Sequence, residues 1–170
     1  MHRLLTALIA ILGLAGAASS ASAATVVFRG KGVIEKLSAQ CGAAGPTKFA
    51  GRSERILARN ENITEWVFRP AGLGTNGAST YFTYQIPDVF ITSFMLDNGS
   101  LNGTFKKVSA SQIALDEPTP TLAYQARVRL LQQTPSTLAN KTKFVFLRGQ
   151  IRDVENIAGC TLTFHAALSR

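Results

Sequence analysis

Residues 121–131 read TLAYQARVRLL, and this stretch decides the fold class. Leu122, Tyr124, Ala126, Val128 and Leu130 fall on one side of an extended chain, and Ala123, Gln125, Arg127 and Arg129 on the other. A β-strand turns successive side chains to opposite faces, so strict alternation over so long a run marks a strand with one buried and one solvated side. The last segment repeats the pattern. Cys160, Leu162, Phe164, Ala166 and Leu168 share one face, while Thr161, Thr163, His165 and Ser169 share the other.

Working outward, residues 26–34, 66–69, 81–86, 105–113 and 144–151 read as further strands, rich in β-branched and aromatic residues. Pro70 and Pro87 stop two of them, because proline has no N–H to donate to a ladder. Residues 89–96 are apolar on both faces and are expected to be fully buried, and the more polar 49–57 suggests an edge strand. Residues 71–79 hold three glycines and Asn76-Gly77 and are expected to form a long flexible loop. Asn98-Gly99 and Asn102-Gly103 read as hairpin turns, since Asn-Gly supplies the positive φ that tight hairpins require. About nine short strands with turn signals between them predict an all-β, antiparallel domain. An antiparallel β-sandwich is expected ahead of a small closed β-barrel.

Length and composition agree. The 170 residues suit one domain. Hydrophobic residues make up 46% and charged residues 16%, which excludes a chain too polar to collapse.

Residues 1–23 read as a signal peptide: His2 and Arg3, an apolar run over 4–16, then Ala21-Ser22-Ala23, a small-x-small cleavage pattern. The run is shorter than the roughly 20 residues a membrane-spanning helix needs, and no cysteine stands at the cleavage point for lipidation. The expected mature domain is 24–170, periplasmic or secreted. Arg3 is the one charged residue of the leader, so the remainder carries 17 Lys+Arg against 10 Asp+Glu. In an oxidising compartment a lone cysteine pair tends to bridge, so Cys41 and Cys160 are expected to form a disulfide. It would join the end of the first strand to the start of the last.

Chemistry-bearing clusters are thin. After export His165 is the only histidine, on an outward-leaning strand face, and reads as a surface residue. Cys160 falls on the opposite face from it. No G-x-S-x-G or H-E-x-x-H motif occurs. The acidic pairs Glu61/Glu65, Asp116/Glu117 and Asp153/Glu155 show no spacing that selects a catalytic pair, although the last two are expected to share a strand face. No catalytic residue, metal ligand or cofactor is expected. Asn62, Asn98, Asn102 and Asn140 lie in Asn-x-Ser/Thr sequons, glycan acceptors only in a eukaryotic secretory route.

The basic excess is the one functional hint. Arg52, Arg55 and Arg59 recur in one segment, and Arg127 and Arg129 project from one polar face. A patch of this kind attracts anions, so these five are the candidate anion-binding residues. Most of the ten Phe look buried by pattern, which leaves few exposed rings for nucleic-acid stacking. The expected function is a non-enzymatic exported binding or structural module that meets anionic glycans, lipid head groups or another envelope component, not nucleic acid. The alternatives are a small outer-membrane β-barrel, with the Leu122 to Leu130 face toward lipid, and a hydrolase whose site the sequence does not announce.

Overall fold

The computed structural model describes residues 24–43, 63–86, 90–97, 101, 103–114 and 122–170. The leader and the segment with Arg52, Arg55, Arg59 and the expected edge strand lie outside these residues. Eight strands form in chain order: β1 (Phe28–Leu37), β2 (Ile63–Arg69), β3 (Ser79–Ile86), β4 (Phe90–Asp97), β5 (Lys106–Ala114), β6 (Leu122–Thr134), β7 (Phe144–Arg152) and β8 (Thr161–Ser169). A short helix α1 (Gln40–Ala43) follows β1, and a single 3₁₀ turn (Val154–Asn156) precedes β8.

Each strand pairs antiparallel with the next, and β1 pairs with β8 from Arg29↔Ser169 to Leu37↔Leu162, so the sheet closes on itself. The all-β antiparallel class and the disulfide stand as expected. Of the two architectures, the chain adopts the barrel and not the sandwich. Alternation along a strand does not separate them, because both turn one face inward. Closure of β1 onto β8 decides it, and it leaves no edge strand among the described residues.

The inward faces are those the alternation selected. Tyr124, Ala126, Val128 and Leu130 of β6 and Leu162, Phe164, Ala166 and Leu168 of β8 are all buried. Trp66 stacks on Phe164 at 4.4 Å between ring centroids, with Phe82 at 4.7 Å and Tyr84 at 4.9 Å. The interior is therefore filled by rings over much of its length, and truncating such a ring costs about 3–5 kcal/mol. Trp66 comes close because Gly32 lies beside it. A Cβ there would stand 2.5 Å from the indole Cδ1 and 2.7 Å from the His165 carbonyl oxygen, distances real side chains do not show.

Four local expectations are corrected. β4 is half-buried rather than fully so: Thr92, Phe94 and Leu96 are inside, whereas Ile91, Ser93 and Met95 keep partial exposure on the outer wall. Asp153 and Glu155 share no strand face, since β7 ends at Arg152 and both fall in the turn. The 71–79 loop is laced by hydrogen bonds. The Asn76 side chain is buried, accepts from Val26 N at 3.2 Å and donates to Val26 O and Pro70 O at 2.9 and 2.6 Å. The Asn-Gly signals of 98–103 fall in a β4–β5 connection too long for a two-residue hairpin, and Gly103 alone of them is described, at φ 82°.

The up-and-down order sorts the connections to two ends. One end carries α1, the Cys41–Cys160 disulfide and the 3₁₀ turn. The other carries residues 24–27, the β2–β3 and β6–β7 connections and Arg170, whose N–H donates to Lys143 O at 3.1 Å.

Candidate anion-binding face

Arg127 and Arg129 stand on the outer wall, where β6 is flanked by β5 and β7. The register sets Lys107 opposite Arg127 and Arg127 opposite Arg152, with Arg129 opposite Gln150. Inward neighbours Val108, Ala126, Val128 and Ile151 are buried, so these polar chains have no direction but outward. Adjacent strands lie ~4.8 Å apart, so the row Lys107, Arg127 and Arg152 spans about 10 Å of backbone. Like charges directly opposite one another on a sheet destabilise it. The row therefore does not arise from what the fold needs.

The cations are held in place by neutral or aromatic neighbours more than by acids. Arg129 donates through Nε and Nη2 to Gln150 Oε1 at 3.0 and 2.7 Å, and Gln150 Nε2 donates to Thr163 Oγ1 at 3.3 Å. The guanidinium groups of Arg129 and Arg152 lie 4.4 and 4.6 Å from the centre of the Phe105 ring. A guanidinium on a ring face keeps its charge and most of its donors for another partner. Among the described residues one carboxylate answers the row: Asp153 Oδ2 accepts from Arg127 Nη1 at 3.1 Å. Asp153 sits at φ 62° and its Oδ1 accepts from Gly159 N at 2.9 Å, so turn geometry fixes it there. Exposed pairs of this kind contribute about 0–1 kcal/mol and leave the arginine open to exchange.

The sequence places Arg127 and Arg129 on one face; strand register adds Lys107 and Arg152 beside them, and Phe105, just before β5, meets Arg129 and Arg152 through its ring face. Most Phe side chains among the described residues are buried, as expected, while Phe105 and Phe146 are half-exposed and Phe144 is exposed.

A second polar cluster lies across β1, β8 and β7. The pairing shifts between Ile34 and Lys36, and Glu35 at this bulge reaches over β8. Its carboxylate accepts from Arg148 Nε at 3.2 Å and Nη2 at 3.1 Å and meets His165 Nδ1 at 2.8 Å. The Arg148 hydrogen bond first, and the His165 contact second, hold the Glu35 carboxyl below the usual carboxylate range. His165 stacks on Phe146, 6.0 Å between centroids. His165 is thus a member of a hydrogen-bonded cluster with Glu35 and Arg148 rather than the isolated surface residue expected. A carboxylate–histidine pair does chemistry when the imidazole also holds a nucleophile. The residues opposite His165 in register are Val33 and Arg148, which offer none.

Fold and site together define an eight-stranded antiparallel barrel with an apolar, ring-filled interior and a cationic outer face across β5, β6 and β7. No protein-family model, curated protein or solved structure matches the chain.

Proposed function

We propose that the protein is an exported, non-enzymatic barrel module that binds an acidic polysaccharide through the face formed by Lys107, Arg127, Arg129 and Arg152. The observation that carries this is the cross-strand row Lys107, Arg127 and Arg152, a like-charge row unfavourable to a sheet, with one carboxylate, Asp153, against it among the described residues. A bound polyanion relieves that repulsion. Gln150 and Thr163, next along the same wall, are suited to sugar hydroxyls, and Phe105 offers a flat apolar surface beside them. The bridge between Cys41 and Cys160 fits export, since such bonds persist in oxidising compartments.

The outer-membrane alternative fits the side-chain directions poorly. A membrane barrel turns apolar residues outward, whereas the face of β6 offered for lipid faces the barrel interior and Arg127 and Arg129 face out.

Dextran sulfate tests the proposal, with dextran as the neutral control and vesicles of phosphatidylglycerol as the lipid arm. The expected result is binding to dextran sulfate alone, lost at high salt because exposed charges are screened beyond about 3 Å at 1 M. Equal binding of both dextrans, or binding of the vesicles alone, overturns it.

A further inference from the structure

An eight-stranded barrel has an interior just wide enough to be filled by side chains or to hold one small ligand. This one is filled in the middle and open at one end. The ring cluster of Trp66, Phe82, Tyr84 and Phe164 fills the middle. At the end that carries residues 24–27 the filling stops, and a cleft of about 310 Å³ opens to solvent.

The floor and walls of the cleft are apolar. Phe68 and Leu130 are the last buried residues of β2 and β6 before the opening, and Leu73 and Leu138 close the sides from the β2–β3 and β6–β7 connections. The polar groups are at or near the mouth and are all neutral. Thr80 accepts from Ala71 N at 3.2 Å, which leaves its hydroxyl proton to donate. Gln133 donates through Nε2 to Ser136 O at 2.9 Å, which leaves its side-chain oxygen to accept. Thr137 is exposed on the rim. No charged residue lines the cleft among those described.

The walls are fixed in advance. Gly74 N donates to Asn140 Oδ1 at 2.8 Å and ties the two wall-forming connections together, while buried Asn76 anchors the first of them to Val26. A site held open in this way spares a ligand the cost of ordering it. The volume lies at the lower end for small-molecule sites, and at ~30 Å³ of liquid volume per water-sized group it matches about ten non-hydrogen atoms.

We infer that this cleft is a binding site for one short uncharged amphiphile, such as a medium-chain alcohol, amide or ester. Its chain lies on Phe68 and Leu130, and its neutral head exchanges hydrogen bonds with Thr80 and Gln133. The absence of a lining cation separates this site from the polyanion face on the outer wall, and neither depends on the other.

The test is calorimetric titration of the exported protein with 1-octanol and 1-decanol, and with octanoate as the charged counterpart. One saturable site for the alcohols is expected, with octanoate at least tenfold weaker. Thr137→Trp, at an exposed rim position that the fold does not need, closes the mouth and weakens octanol at least tenfold with an unchanged melting curve. Leu130→Ala deepens the floor and shifts preference toward decanol. Arg127→Gln with Arg129→Gln leaves alcohol binding as in the wild type. The inference is overturned if neither alcohol saturates up to its solubility, if octanoate binds as well as octanol, or if folded Thr137→Trp binds octanol like the wild type.

Discussion

Replacing both bridge cysteines, Cys41→Ala with Cys160→Ala, removes a crosslink across 119 positions. On the folded side the bridge closes nothing that is otherwise open. β1 is already laddered to β8, and Ser38 N donates to Thr161 O at 2.9 Å while Thr161 N donates to Ser38 Oγ at 2.9 Å, immediately beside the sulfurs. Its effect therefore falls mainly on the unfolded chain, which it confines to a loop. The chain-entropy relation applied to a 119-residue separation gives a loss of about 5 kcal/mol at 25 °C. At about 2–4 °C per kcal/mol for a domain of this size, the midpoint falls by about 10–20 °C. Both sulfurs are fully buried, so alanine is the right replacement: serine would leave a hydroxyl in an apolar site. The assay is urea unfolding followed by fluorescence of Trp66, the chain's single tryptophan and a core residue. The denaturant slope should rise in the variant, because the uncrosslinked unfolded chain exposes more surface. A loss below about 1 kcal/mol with an unchanged slope would refute the reasoning, since it would mean the bridge does not restrict the unfolded state.

Gly32→Ala drives a methyl into the Trp66 indole and the His165 carbonyl, and is expected to lower stability by about 1–3 kcal/mol in the same urea assay. Asn76→Ala strips the buried link between Val26 and Pro70 and should cost about 1–3 kcal/mol, with faster amide exchange at Val26 as the local readout. Glu35 has a folded-state pKa below its unfolded one, so its contribution is present above the unfolded value of about 4.3 and is lost as pH falls through the lower folded value. Glu35→Gln should therefore flatten the acid limb of the stability–pH curve below about pH 4.3, a small effect for a partly exposed cluster. An unchanged acid limb would show that the triad does not act on folding.

The strands were legible because one physical fact, burial of a single face, writes itself into alternate residues. Tyr124 to Leu130 and Leu162 to Leu168 are inward at alternate positions as their spacing required. The cysteine pair pointed to the first and last strands lying side by side, as they do; full closure was not legible, since a sandwich and a barrel ask the same alternation of each strand. Residues 89–96 misled because Ile91 and Met95 are apolar yet sit on a wall where neighbouring side chains cover them in part. The site divides the same way. Arg127 and Arg129 share a face two residues apart and could be read directly. Lys107 and Arg152 reach them by register from other strands, Phe105 by a ring contact from just before β5, and Glu35 reaches Arg148 and His165 through a bulge and a closure spanning 113 and 130 positions. A single sequence carries no signal for such pairings.

The polyanion face is tested most directly by the salt-dependent affinity for dextran sulfate of the wild type and of the variant with Lys107, Arg127, Arg129 and Arg152 all changed to Gln. At about 1 kcal/mol for each surface cation, the account predicts a loss of about a thousandfold at low salt with stability unchanged or raised, because the like-charge row is gone. Retention of wild-type affinity in the folded variant would contradict it.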